Sequence, residues 1–401
     1  MVSVASLFNQ LLRHFPRNEF AGLVHKHGAE RHAKGFSCWT QFVAMLFCQL
    51  AHTDSLREIC NGMRCGLGKL IHLGIQRAPV RSTLSYANQH RPAALFEDLF
   101  WAMLHRFRQQ QMLGSRPTRF RFKNKLLSLD STTISLCLSL FPWAGFKTTK
   151  GGIKAHVLLD HHDYMPSFIV LTTAKVSDVT IARSIPIPSQ SIVVADRAYL
   201  DFSRFAAWDD RGIYFVCRSP HPPRYRVLRD RAASPHDNIL SDQIVEFIGR
   251  YGRRYGRPMR RITLRIDGQD EPLILLTNHM QFAASTIGRI YKERWQIEVF
   301  FKTLKQNLKI KTFVGTTENA LRIQIWTALI ALLLLKWLHH LSQARWSLSN
   351  LASMLQLNLF TYRDLQAWLH DPFETPPLIP HPQQLSLYNF GLGQPIRFAT
   401  D

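Results

Sequence analysis

Acidic side chains are scarce in this 401-residue chain, where 28 Asp plus Glu stand against 50 Lys plus Arg, a formal charge of +22. Solubility needs far less, so the imbalance predicts attraction to polyanions, with nucleic acid first and an anionic membrane surface second. The charge is mostly Arg and spread along the chain, whereas a membrane-surface protein gathers it on one amphipathic helix. Cysteine is also sparse. Cys38, Cys48, Cys60, Cys65, Cys137 and Cys217 make no disulfide framework in so long a chain. Cys60 and Cys65, with His52 and His72 nearby, lack the paired spacing of a zinc site. No apolar run is long enough to span a bilayer, the longest being 328–335. The opening MVSVASLFNQLLRHFPRNEF lacks a basic segment followed by a long apolar one, so no signal peptide is expected. A glycine-rich phosphate loop is missing too, and with it any sign of a nucleotide cofactor. With 46% hydrophobic and 19% charged residues, disorder is excluded. The expectation is a cytoplasmic protein with no membrane span.

What is present changes character along the chain. Residues 1–115 read as helical, with Cys38 to Leu50 nearly all apolar and short segments at 55–60 and 83–89 opened by caps at Asp54 and Ser82. Two short helices around a turn, the second polar and basic at its start (RSTLSYANQHR), suit a helix-turn-helix DNA reader or a plain helical bundle. From Arg106 to Lys125 there are seven Lys or Arg and no acid, with interleaved Phe near the end, which suits a linker that tracks DNA. Strand-like runs follow: Leu126 to Leu129, ending at Asp130; Ile153 to Leu159; Ser167 to Thr172; and Ile192 to Ala195, ending at Asp196. Such short continuous runs predict central strands of a mixed α/β sheet, buried on both faces. His161, His162 and Asp163 fall where a hairpin turn belongs.

Residues 202–279 alternate apolar and polar positions between turn residues, which predicts a β-rich insertion between two parts of a core, 116–201 and 280–340. Within it, Arg250 to Arg261 (RYGRRYGRPMRR) holds six arginines and two tyrosines without an acid, so Arg253, Arg254 and Arg257 are candidate DNA contacts. Lys147, Lys150 and Lys154 form a smaller basic group. The apolar run at 325–338 reads as a core helix, and 341–401 as a helical C-terminal region ending in a Pro-rich tail.

The most informative pattern is Tyr291, Arg294, Glu298 and Lys305. At about 100° per residue their offsets of 3, 7 and 14 fall within an arc of roughly 60° on one helix. Ile290, Ile297, Phe300, Phe301, Leu304 and Leu308 gather to one side, so the helix buries that face and presents the polar stripe beside it. Asp130 and Asp196 each follow a buried strand, at the sheet edge where α/β sites form. An Asp there is commonly a cap, and a Glu between cations commonly a surface ion pair. Together they make a rarer combination. Three carboxylates from separate segments, Asp130, Asp196 and Glu298, suit two hard divalent ions, Mg²⁺ or Mn²⁺, that activate water and stabilise a leaving oxygen at phosphorus.

At these residues the chain resembles the DDE transposases of bacterial insertion sequences with the signature Tyr, two residues, Arg, three residues, Glu, six residues, Lys. Tyr291, Arg294, Glu298 and Lys305 meet every spacing. The segments LLSLDSTTI, GGIKAHVLLDHHDYMPSFIVLTTAKVSD and IVVADRAYLD resemble the blocks around that family's first two catalytic Asp residues. The resemblance implies a ribonuclease H-like core interrupted by the β-rich insertion. It implies that Asp130, Asp196 and Glu298 bind metal and catalyse, that Tyr291, Arg294 and Lys305 contact phosphates near the cleaved end, and that Arg197 adds another contact. Relatives cut the flanking strand through a hairpin and stack a Trp of the insertion in place of a flipped base. This chain departs there: it has no Trp between Trp208 and Trp295, which leaves Tyr214, Tyr225, Tyr251 or Tyr255 for that role.

The expected activity is cut-and-paste transposition on double-stranded DNA. Holding two ends calls for a homodimer, with the helices after Leu341 as its surface. A ribonuclease H-fold nuclease or resolvase is the alternative with the same chemistry, and a catalytically retired DNA-binding regulator the alternative from another class.

Overall fold

Among the described residues ten strands form one sheet. They are β1 (Leu126–Leu136), β2 (Gly145–Lys147), β3 (Lys150–Asp160), β4 (Met165–Thr173), β5 (Ile192–Ala195), β6 (Tyr214–Arg218), β7 (Tyr225–Asp230), β8 (Ile239–Phe247), β9 (Met259–Leu264) and β10 (Leu273–Thr277). Their order is β2-β3-β1-β5-β6-β10-β9-β8-β7, with β4 also paired to β3. Strands β1, β5 and β6 run parallel and the remaining pairings are antiparallel. The strands of 202–279 therefore continue the sheet of the core. The computed structural model describes residues 5–378 except 32, 67, 115–119, 148–149, 220–223, 232–237, 267, 269, 307, 309–312 and 345. Residues 115–119 of the basic linker, the side chains of Lys147, Lys150 and Tyr251, and the end of the Pro-rich tail lie outside the described residues.

The central strands are apolar on both faces because helices cover both. Leu127, Leu129, Val193 and Ala195 pack with Phe202, Phe205 and Trp208 of the helix Phe202–Asp210. Leu126, Ile192 and Val194 pack on the other face with Ile287 and Ile290 of the helix Ala284–Glu293. Each such buried side chain contributes about 1.5–3 kcal/mol, and the alternation fixes which face every later residue takes.

A third cluster joins the far half of β1, β3 and β4 to the helical regions. At its centre is the helix Glu318–Leu341, started by Thr317, whose side chain accepts from Ala320 N. It is long and apolar enough to cross a membrane, yet 89% of its most apolar stretch is buried inside the protein. The helices Cys38–Leu50 and Ala94–Gln109 pack along it, which makes the N-terminal region a wrapping around a core helix.

Two local expectations differ from the structure. The helix Leu56–Cys65 is capped by Ser55 and not by Asp54: Ser55 Oγ accepts from Glu58 N at 3.2 Å, while the Glu58 carboxylate accepts at 2.7 Å from the N–H of Asp54, one residue before the cap. The helix Arg81–His90 follows Val80 with no side-chain cap, so Ser82 lies inside it. The connection between them, 66–80, is far longer than the three- or four-residue turn of a helix-turn-helix.

Candidate active site

Register brings the two aspartates together. Leu129 pairs with Ala195 in the parallel β1–β5 ladder, so the next residues, Asp130 and Asp196, are neighbours across adjacent strands. Alternation puts both on the face of Leu126, Ile192 and Val194, towards the helix Ala284–Glu293. Asp196 does sit at a strand end, where its carboxylate accepts from Arg197 N at 2.7 Å. Asp130 does not: β1 runs on to Leu136, because β3 pairs with it from Leu127 through Leu136 after β5 has stopped. Its carboxylate accepts from Ser131 N at 2.8 Å.

The stripe that sequence spacing draws on one helix is divided in the structure. The helices Ala284–Glu293 and Trp295–Gln306 meet at Arg294, where Arg294 N donates to Tyr291 O at 3.0 Å and Ile297 N to Arg294 O at 3.1 Å. These three-residue bonds tighten the turn without separating the polar residues. Arg294 Nη2 donates to Glu298 Oε1 at 2.6 Å, its Nη1 lies 3.9 Å from Asp130 Oδ2, and its guanidinium lies 5.8 Å from the Tyr291 ring. Lys305 reaches β1, donating to Thr133 O at 3.0 Å. Phe300, Phe301 and Leu304 are buried beneath, as their phase requires.

The electrostatics follow from crowding. Burial, with the charges of Asp196 and Glu298, pushes the Asp130 carboxyl up to about 6 against the pull of Ser131 N–H and Arg294. Burial likewise raises the Tyr291 phenol to about 12. For Arg294 burial favours the neutral form, but Tyr291, Glu298 and Asp196 together outweigh it and raise its pKa. Among the described residues no three Asp, Glu, His or Cys side chains are drawn tightly enough together to hold an ion, and Arg294 stands between Asp130 and Glu298.

Behind Asp130 lies a group that sequence reading missed. His156 is buried, with Nδ1 3.3 Å from Asp178 Oδ1 and Nε2 2.9 Å from Thr172 Oγ1, and Lys154 Nζ is 3.4 Å from Asp178. Burial raises the Asp178 carboxyl, but His156, Ser131 and Lys154 hold it down at about 2. Ser131 pairs in register with His156, which ties this group to the residue next to Asp130. Its signal was the Lys154–His156 alternation on one strand face, of which only Lys154 was weighed, as a member of a basic group.

The proposed DNA contacts fare differently. Arg197 is exposed beside Asp196, and Arg253 and Arg254 are exposed on the helix Gly249–Tyr255. Arg257 is bound by Asp209 at 3.1 Å and Asp210 at 2.5 Å. Arg260 is fully buried and paired bidentately with Asp242, at 2.8 and 2.7 Å. Tyr255 is buried against Asp209, and Tyr214 packs on His279, so neither is free to stack on a base. In the 106–125 stretch, Arg106 pairs with Glu19, Arg108 with Asp163 and Lys125 with Asp160, while Phe120 stacks on Phe122 and Phe122 on Phe282. Arg121 and Lys123 remain exposed and line a cleft of about 1600 Å³ at the start of β1. His161 to Asp163 form the expected β3–β4 turn. Trp295 was passed over in the sequence and is 60% exposed directly after Arg294.

Comparison with known proteins gives the family. The transposase DDE domain matches residues 121–334, and a domain of unknown function, DUF4372, matches residues 3–76. The Sinorhizobium fredii protein y4zB, named as a transposase, is 31% identical over 295 residues, 72% of this chain and 80% of that one. A Geobacillus stearothermophilus protein, named as a transposase for insertion sequence element IS5377, is 30% identical over 231 residues, 56% of this chain and 60% of its own. The solved piggyBac transposase synaptic complex with hairpin DNA covers 88% of this chain and 80% of that one at a TM-score of 0.41 and 10% identity, too remote to carry an argument. With the DDE domain matched over more than half its length and the sheet, flanking helices and acidic edge already in view, the chain belongs to the DDE transposases of insertion sequences, enzymes that cleave DNA.

Proposed function

We propose that this transposase works by cut-and-paste, binding the terminal inverted repeats of its element, cleaving at their ends and joining the freed 3′ hydroxyls to target DNA. The observation that carries this is the convergence of Asp130, Asp196 and Glu298 on one edge of the sheet, with Arg294 among them. DDE transposases generally use divalent metal ions. The donor set here fits them in kind: three hard carboxylate ligands, one of them held at about 6 partly by its like-charged neighbours, a repulsion that a bound cation relieves. Asp130, Asp196 and Glu298 would hold two Mg²⁺ or Mn²⁺ ions, which supply charge stabilisation to the attacking and leaving oxygens.

The chain's own residues then orient the substrate. Arg294, once released from Glu298, and Lys305 neutralise phosphate oxygens near the scissile bond, and the Tyr291 phenol, kept protonated, donates a hydrogen bond. In the first step water attacks phosphorus and the bond to the 3′ oxygen breaks, leaving a 3′ hydroxyl. In the second that hydroxyl attacks a target phosphodiester and displaces its 3′ oxygen, so one phosphodiester replaces another and no nucleotide is consumed.

Residues 1–115 would serve as a DNA-binding domain, 116–201 and 280–340 as the catalytic core around the 202–279 insertion, and 341–401 as the dimer surface. The test is to incubate the protein with Mg²⁺, a duplex from the end of its element and a supercoiled target plasmid. Joined products support transposition. Cleavage without joining would favour the nuclease reading.

A further inference from the structure

We propose that the helix Arg81–His90 reads base sequence at the element's ends by lying in the DNA major groove. This inference rests on the end-binding activity proposed above. Leu84, Ala87 and Asn88 are buried against the helices Cys38–Leu50, Leu56–Cys65 and Glu318–Leu341. The other seven residues are exposed, all are polar and none is acidic. At about 100° per residue Ser82, Ser85, Tyr86 and Gln89 span roughly 100° directly opposite the buried face, flanked by Arg81 and His90. These are the side chains that address base edges: Gln pairs with adenine, Ser with any base, Arg with guanine. One helix of this width fits the major groove.

An ordinary solvated helix face carries carboxylates and ion pairs three or four residues apart. Here no Asp or Glu occurs from residue 59 to 96, and Arg64, Arg77 and Arg81 are exposed around the helix. That surroundings suit flanking phosphates and would repel no part of a duplex. Exposed Val80, just before the helix, can meet a thymine methyl.

The support is rigid. Gln41 Nε2 donates to Asn88 Oδ1 at 2.8 Å, and Asn319 Nδ2 donates to the carbonyls of Asn88 and Arg91 at 2.9 and 2.7 Å. Asn319 belongs to the core helix Glu318–Leu341, which also packs on the helix Trp295–Gln306 that bears Glu298. Recognition and chemistry thus share one support, and a bound end keeps a fixed register to the acidic edge.

The test measures binding of full-length protein to a duplex from the element's terminus and to a shuffled duplex of the same composition. For the Ser82→Ala/Gln89→Ala variant, the preference for the terminus should fall about ten- to hundredfold, the worth of lost base contacts. Affinity for the shuffled duplex and the unfolding midpoint should stay as in the wild type. If the variant keeps its preference, the helix is not the reader although end binding stands. If the wild type itself shows no preference, the end-binding reading falls as well. A variant that loses dimerisation and both affinities equally would assign this face to a second copy of the chain and overturn the proposal.

Discussion

Arg294 donates to Glu298 across 2.6 Å while its other terminal nitrogen stands 3.9 Å from Asp130, so one guanidinium screens two carboxylates of the acidic edge. On the proposed metal site, an ion would have to compete with that cation for Glu298. Arg294→Ala should therefore bind Mn²⁺ more tightly in the absence of DNA, by about tenfold for a coupling near 1.4 kcal/mol, while cleaving DNA more slowly. Free Mn²⁺ followed by electron paramagnetic resonance reads the first effect, and an end-labelled duplex reads the second. Unchanged Mn²⁺ affinity would mean that Arg294 does not restrain the carboxylates.

Glu298→Gln keeps the size of the side chain and its reach to Arg294 but removes a charge. Cleavage should drop by at least about a hundredfold, the scale lost with one charge-stabilising group at a reacting centre. Binding to the terminal duplex should persist, since the proposed phosphate contacts come from other residues. Nicking at wild-type rate by this variant would remove Glu298 from the proposed metal site.

The basic run at 250–261 gives a contrast within a few residues. Arg253 and Arg254 are exposed, whereas Arg257 is held by Asp209 and Asp210. Neutralising both of the first pair should lower the slope of log affinity against log salt by about 2, close to one per phosphate contact. Arg257→Ala should leave that slope where it is. Equal effects would show that DNA draws Arg257 away from its carboxylates.

Much of the site was legible because its signals are local. The apolar runs before Asp130 and Asp196 mark strands buried on both faces, and the spacing of Tyr291, Arg294 and Glu298 survives the break at Arg294. What escaped depends on partners distant in sequence. The length of β1 is set by β3, so Asp130 reads as a strand end when it is not. Asp242 and Asp209 take Arg260 and Tyr255 into the interior, and nothing within 250–261 announces it. The His156–Asp178 pair was hidden for the same reason, since Asp178 opens the helix that follows β4 and meets His156 of β3 only in the folded chain.

Trp295 offers a large aromatic face to solvent one residue from Arg294, where a base leaving the stack would be close at hand. Base–aromatic stacking is worth about 1–3 kcal/mol per base. Trp295→Ala should weaken binding to a duplex with unpaired bases at its end by about ten- to hundredfold, and a fully paired duplex less. A 2-aminopurine placed at the terminal positions reports it: its fluorescence should be quenched by the wild type and not by the variant. Equal quenching would leave stacking to Tyr225 or to no residue.

His161 makes a pH prediction with a definite sign. Its side chain is only 7% exposed, with Nε2 2.7 Å from Ser128 Oγ, and burial pushes its pKa down to about 4 although Asp160 pulls the other way. The unfolded chain takes up this proton near pH 6.5, the folded one near 4. Its stability contribution is therefore complete above 6.5 and is lost as pH falls towards 4. The shift corresponds to about 3 kcal/mol in order of magnitude. Asp130 acts oppositely in part of this window: its raised pKa favours the folded state progressively as pH falls from about 6. Bulk acid titration would mix the two, so the informative quantity is the difference between wild type and His161→Gln. The variant keeps a polar group near Ser128 without the titration. Between pH 7.5 and 4.5, unfolding by urea should show the wild type losing about 2–3 kcal/mol more than the variant. Parallel losses would place the proton on His161 in the folded state and reverse the assignment.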